Sequence, residues 1–163
     1  MSKDVEWTAT YAATAANAFA VLSSKEFLTQ LAHDTGALDS NVDVSSDSSG
    51  AVTIKNVRTF PAEVPSYAKS LVGDTITVTE IQEWGPPTED GTRVGTFSVD
   101  FGGAPAKFGG TLSLTGNDPC TSTTSGTVKA SLPLVGGKVE SLIIEQIGAY
   151  MGELQSHAVA TLG

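Results

Sequence analysis

Gly136-Gly137-Lys138-Val139-Glu140-Ser141-Leu142-Ile143-Ile144-Glu145-Gln146-Ile147-Gly148-Ala149-Tyr150 begins the last stretch of the chain, and its reading decides the fold. Val139, Ile143, Ile147, Tyr150 and Leu154 fall on one narrow stripe at about 100° per residue, the mark of a helix with one buried side. A single long amphipathic helix is therefore expected over Lys138–Leu162, opened by the glycine pair. Between residue 38 and this helix the chain reads as strands, apart from one short helical stretch. A long helix after a run of strands suggests a curved antiparallel sheet that grips it, with room for a ligand between the two layers.

Working back from that helix, the alternation of Val5, Trp7, Ala9 and Tyr11 with Glu6, Thr8 and Thr10 predicts a half-buried first strand. Thr14 caps an alanine-rich helix carrying Phe19 and Leu22. Ser23 to Glu26 reads as a capping box, with Leu22 and Phe27 as its hydrophobic staple, and starts a second helix that ends at Gly36. Strands follow over Leu38–Ser46, Ala51–Phe60, Asp74–Trp84, Thr92–Phe101, Lys107–Gly116 and Thr121–Leu132. Pro65–Val72 is a short helix holding Tyr67 and Leu71. Short turns between strands require antiparallel pairing, because parallel partners need crossovers of a dozen or more residues. The expected architecture is α+β: a seven-stranded curved antiparallel sheet with two short N-terminal helices and one long C-terminal helix. One domain spanning 1–163 is expected.

Composition narrows the function classes. The chain has 9 Lys+Arg against 18 Asp+Glu, a formal charge of −9. That balance argues against nucleic acid or an anionic membrane surface as the main partner. No apolar run approaches the roughly 20 residues of a membrane span, so no stable membrane insertion is expected. The N-terminus carries no signal-peptide pattern, and a cytoplasmic location is expected. Cys120 is the one cysteine and lacks a neighbouring cation that would activate it. His33 and His157 have no second ligand at metal spacing, so neither a metal site nor another cofactor is expected. Gly102-Gly103 and Gly109-Gly110 do not form a phosphate loop and fit a bend in the sheet. Gly148 and Gly152, four apart on the helix back, would permit close approach of another helix.

The order of elements, with Val57-Arg58-Thr59-Phe60-Pro61, Ile81-Gln82-Glu83-Trp84 and Gly95-Thr96-Phe97-Ser98-Val99, resembles the START-like (Bet v 1-like, polyketide cyclase/lipid-transport) superfamily, the helix-grip fold. Within it the chain is similar to a small actinobacterial group of unassigned function. The resemblance covers nearly the whole chain and brings no shared catalytic residue. It implies a cavity for an apolar or amphipathic ligand, such as a lipid or polyketide.

The residues themselves suggest where that ligand would lie. Phe97, Phe101, Ile143 and Ile147 are candidate apolar walls, and Tyr67 and Trp84 a candidate aromatic mouth. Period two puts Glu80, Gln82 and Trp84 on the face of Ile76 and Val78. Arg58 shares parity with Val52, Ile54 and Phe60, so Glu80 and Arg58 can meet. A bulge near Glu80 would instead turn Ile81 inward. Arg58, Glu80, Gln146 and Tyr150 are the candidate polar anchors, though Gln146 sits at the stripe's edge and could equally reach solvent. No catalytic residue is assigned, since no second acid or positioned base accompanies Glu80. Modest inward side chains elsewhere predict a hollow within the range of small-molecule sites, about 300–1,000 Å³. Three readings stay open: a binding protein for a small hydrophobic molecule, a cyclase- or hydratase-like enzyme using the same pocket, and an interaction module whose cavity is filled by its own side chains. Oligomeric state is not legible.

Overall fold

The computed structural model describes residues 2–162; Met1 and Gly163, the two ends of the expected domain span, lie outside the described residues. In chain order the elements are β1 (Lys3–Tyr11), α1 (Ala15–Leu22), α2 (Lys25–Asp34), β2 (Asp39–Ser46), β3 (Val52–Pro61), α3 (Ser66–Val72), β4 (Thr75–Trp84), β5 (Arg93–Asp100), β6 (Ala106–Thr115), β7 (Cys120–Ala130) and α4 (Gly136–Leu162). The strands form one antiparallel sheet in the order β1-β7-β6-β5-β4-β3-β2. Consecutive strands from β2 to β7 are neighbours, as their short turns demand. The α1–α2 pair carries the chain from one edge of the sheet, β1, to the other, β2. This is the α+β architecture the hydrophobic pattern predicts.

The cap between α1 and α2 differs from expectation by one residue. Ser23 ends α1, its hydroxyl donating to the Phe19 carbonyl at 2.6 Å. Ser24 starts α2, accepting from the Phe27 amide at 3.2 Å, while its hydroxyl donates to the Glu26 carboxylate at 3.1 Å. The two serines divide the labour because α1 needs its last carbonyls covered before α2 can begin. Thr14 does cap α1, accepting from the Asn17 amide.

Glycines set the shape of the sheet. Gly110 of β6 faces Gly126 of β7, and Gly95 of β5 faces Trp84 of β4. A Cβ on Gly110 would overlap the Ser125 carbonyl oxygen. One on Gly126 would lie 2.6 Å from the Gly109 oxygen and 2.9 Å from the Phe97 and Phe108 rings. The strands therefore approach more closely here than any other residue allows, and the two phenylalanines occupy the space that side chains would have taken. Phe97 and Phe108 meet edge to face at 4.7 Å, Trp7 caps Phe108 at 5.9 Å, and Phe19 of α1 meets Trp84 at 5.3 Å. This aromatic group is the centre of the main core.

α4 crosses the concave side, closest to β7, β1 and α1. Its Val139 is buried, and Ile143, Ile147, Tyr150 and Leu154 are half-buried along the expected stripe. Gly148 faces Trp7 of β1 rather than another helix. The far end of α4 is tied to α2: His157 Nε2 lies 3.1 Å from Asp34 Oδ2, and His157 Nδ1 bonds the Glu153 carbonyl at 2.7 Å. None of the described helices is long and apolar enough to cross a membrane.

Two predictions come from this packing. Gly126→Ala should destabilise the protein by about 1–3 kcal/mol through overpacking. Gly152→Ala, with nothing within 4 Å of its Cβ, should raise stability by up to about 1 kcal/mol as helix propensity improves. Urea unfolding of both variants checks the contrast. The second concerns pH. The Glu153 carbonyl and then the Asp34 carboxylate raise the His157 pKa, while hydrogen bonds from His33, Gln30 and His157 lower that of Asp34. The histidine's contribution is complete below its unfolded value of about 6.5 and fades as pH rises through its higher folded value. The aspartate's contribution is complete above about 3.9 and fades as pH falls through its lower folded value. The α2–α4 tie is thus strongest between these limits. The stability difference between wild type and His157→Gln should shrink at mildly alkaline pH.

Candidate functional site

The inward face of β3 reads Val52, Ile54, Asn56, Arg58, and all four are buried. Two polar residues therefore occupy positions where period two calls for core. The β3–β4 ladder runs without a bulge from Val52 opposite Trp84 to Pro61 opposite Thr75. Glu80 consequently faces Asn56 on the concave side, beside Arg58, as the unbroken alternation requires.

A continuous polar chain results. Trp84 Nε1 donates to Gln82 Oε1 at 2.8 Å, and Gln82 Nε2 donates to Glu80 Oε2 at 2.9 Å. Arg58 Nη2 donates to Glu80 Oε1 at 2.9 Å. The guanidinium then lies 4.5 Å from the centre of the Tyr150 ring on α4. The Arg58 side chain is 5% exposed and that of Glu80 17%, so the ion pair is largely desolvated. Gln82 and Trp84 lock the second carboxylate oxygen, which fixes the rotamer of Glu80 and leaves neither oxygen without a partner. Burial pushes the Tyr150 phenol up to about 12, against a smaller opposing pull from Arg58. That hydroxyl stays protonated over the physiological range and serves as a hydrogen-bond group, not a base.

The site is partly open. Ile76, Val78, Glu80 and Gln82 are half-buried although they line the concave side. The cause is the position of α4, which lies over β7 and β1 and reaches β3 through the Arg58–Tyr150 contact. Val78, Phe101, Ile143 and Ile147 are half-buried apolar neighbours of the main core. Asn56 Oδ1 and Arg58 Nε, both buried, have no hydrogen-bond partner among the described residues. Leaving such groups unpaired costs about 1–3 kcal/mol each.

Of the anchors expected from sequence, Arg58, Glu80 and Tyr150 come together. Gln146 does not: it is exposed on α4, since the stripe that faces the sheet passes through Ile143, Ile147 and Tyr150. The aromatic mouth also divides. Tyr67 is 38% exposed on α3, whereas Trp84 is 6% exposed in the core against Phe19. Phe97 is core wall rather than lining, held against Phe108. Two hollows sit at the rim of the concave side. One of about 380 Å³ lies between α3 and the start of α4, lined by Pro65, Tyr67, Lys138 and Leu142. Another of about 150 Å³ lies between β1 and α4, beside Trp7, Tyr11, Gly148 and Gly152. The aromatic group packs the middle of the main core.

Asn56 escaped the sequence reading, although its parity with Ile54 and Arg58 was signal enough. Glu140 escaped it too. Fully buried, it accepts from the Ala130 amide at 3.0 Å, joining the first turn of α4 to the end of β7. Its position outside the apolar stripe gave no sign of this. Cys120 is fully buried, with its thiol pKa raised by desolvation.

The family model described as "Protein of unknown function (DUF2505)" matches residues 6–160. The chain belongs to this family. No curated protein matches it. Among solved structures, the Zhui aromatase/cyclase from Streptomyces sp. R1128 is similar at 11% identity and a TM-score of 0.59, over 99% of this chain and 94% of that one. Truncated norcoclaurine synthase from Thalictrum flavum is similar at 20% identity and a TM-score of 0.57, over 98% and 94%. A Thermus thermophilus protein is similar at 13% identity and a TM-score of 0.58, over 99% and 100%. The DUF2505 chain thus has the START-like, Bet v 1-like helix-grip fold. At these identities the likeness speaks for fold alone.

The geometry makes a specific stability prediction. Arg58→Met leaves the Glu80 carboxylate without its cation and should cost about 3 kcal/mol, the lower end for a broken buried pair, because Glu80 keeps some water. The double variant Arg58→Met/Glu80→Leu should recover most of that loss. Urea unfolding of the single and double variants measures the coupling.

Proposed function

We propose that this DUF2505 protein binds a small hydrophobic or amphipathic molecule along the open strip between β4 and α4, in the cytoplasm. The observation that carries the reading is the half-open polar chain from Trp84 to Tyr150 with apolar neighbours on either side. A purely structural sheet face would place aliphatic side chains there. Arg58, Glu80 and Tyr150 would orient the ligand's polar end, with Phe101, Ile143 and Ile147 against its apolar part. Tyr67 would stand at the outer rim, beside the α3–α4 hollow. The fold it shares with an aromatase/cyclase and with norcoclaurine synthase agrees with a ligand-holding role.

Binding is preferred to catalysis because both Glu80 oxygens already accept hydrogen bonds from protein donors and Tyr150 stays protonated. One observation favours the interaction-module reading: the aromatic group packs the centre of the main core.

Titrating an apolar fluorescent probe into the folded protein separates these readings. Wild type should bind the probe, and Ile147→Trp, which fills the strip, should weaken binding by about tenfold or more. A wild type that binds no apolar probe would favour the interaction module. If a turnover were found that Glu80→Gln abolished while binding survived, the enzyme reading would replace this one.

A further inference from the structure

On the β1 flank of α4, the hollow of about 150 Å³ runs along the seam between helix and strand. Trp7 and Tyr11 stand on its strand side, and Gly148, Met151 and Gly152 on its helix side. Glycine inside a helix is less stable than alanine, so two of them on one flank call for a reason. Crowding is not that reason. A Cβ on Gly148 would meet Trp7 Nε1 at the ordinary contact distance of 3.7 Å, and one on Gly152 would meet nothing within 4 Å. What the glycines keep is open space beside the indole nitrogen.

Two polar groups border that space without partners. Trp7 Nε1 and the Tyr11 hydroxyl make no hydrogen bond among the described residues. Unlike Asn56 Oδ1 and Arg58 Nε, neither is sealed from water. Tyr11 is otherwise buried, at 2% exposed, and Phe108 holds the Trp7 ring edge to face. Trp84, the other tryptophan, already spends its N–H on Gln82 at 2.8 Å.

The lining narrows the occupant. No charged side chain borders the hollow among the described residues. Burial, and then the nearby Cys120, raise the Tyr11 phenol, which therefore stays neutral. An ion would give up its water there without a counter-charge. An indole N–H can only donate, so the occupant must present an acceptor. Met151 and the two aromatic side chains suit a flat ring, and the volume suits a body of about benzene's size.

We propose that this seam is a second binding site, for a small uncharged aromatic molecule carrying an acceptor oxygen, with Trp7 Nε1 as the donor to that oxygen. The Tyr11 hydroxyl, four residues further along β1, offers a second polar contact. The site is separate from the strip between β4 and α4, and neither reading depends on the other.

Acetophenone and ethylbenzene are nearly equal in size and differ by the carbonyl oxygen. In proton–nitrogen correlation spectra of the full chain, each tryptophan gives one indole signal, and Trp7→Phe assigns them by removing one. Titrating acetophenone should move the Trp7 signal and leave that of Trp84, held by Gln82, in place. Its affinity should exceed that of ethylbenzene by about tenfold or more. Gly148→Ala sets a methyl over the indole nitrogen and Gly152→Leu fills the hollow. Both should fold, and each should weaken acetophenone binding by about tenfold; either one suffices if the other does not fold. A Trp7 signal that stays still up to the solubility limit of acetophenone would overturn the proposal. So would equal affinity for the two probes, since the oxygen would then go unrecognised. Binding that survives unchanged in the glycine variants would also overturn it, because the molecule would then lie elsewhere.

Discussion

The close approach of β6 and β7 at Gly110 and Gly126 is the constraint on which the rest of this structure depends. With no side chains there, the strands draw together and the Phe97 and Phe108 rings move into the space above them. That puts the bulk of the core over β5, β6 and β7. α4 then packs on the β7 and β1 side, and α1 sends Phe19 in against Trp84. The core extends across to Val42, Val52, Ile54 and Trp84, while β4 from Ile76 to Gln82 stays half-buried. Along β3 and β4 the longer polar side chains of Arg58, Glu80 and Gln82 stand among these apolar ones.

That division accounts for the chemistry of the strip. A buried ion pair is weak evidence of stability, because desolvation offsets most of the Coulomb gain. Arg58–Glu80 has the further support that makes such a pair tolerable: Gln82, itself held by Trp84, donates to the second carboxylate oxygen, and the Tyr150 ring covers the guanidinium. The arrangement is rigid and nearly neutral. It suits holding a molecule in one orientation better than moving protons, since the carboxylate is fully engaged and the phenol is far from its ionisation range.

Membership of DUF2505 and the helix-grip fold place the chain among proteins whose sites differ while the scaffold persists. The site of this chain is shaped by local features. Asn56 and Arg58 interrupt an otherwise aliphatic face, and Glu140 ties the base of α4 to the last strand through a single backbone amide. The glycine pair at the start of α4 allows this tight entry, with Gly136 buried against the Ala130 carbonyl.

The sequence by itself determined the elements, their order and the face each strand turns inward. Those features follow from local periodicity and turn chemistry, which is why shared parity along β3 and β4 already allowed Arg58 and Glu80 to meet. That β4 runs without a bulge, so that Glu80 points to the concave side, came from the sheet register. Only the tertiary structure decided how far α4 lies from each strand. That distance depends on cross-strand glycine contacts and on rings contributed by α1, β5 and β6, which no single segment encodes. Hence Trp84 became core instead of rim, Gln146 turned to solvent, and the hollows moved to the edges. Asn56 belongs to both levels: its inward face was legible from parity, but the burial of its Oδ1 without a partner among the described residues is a fact of three-dimensional packing.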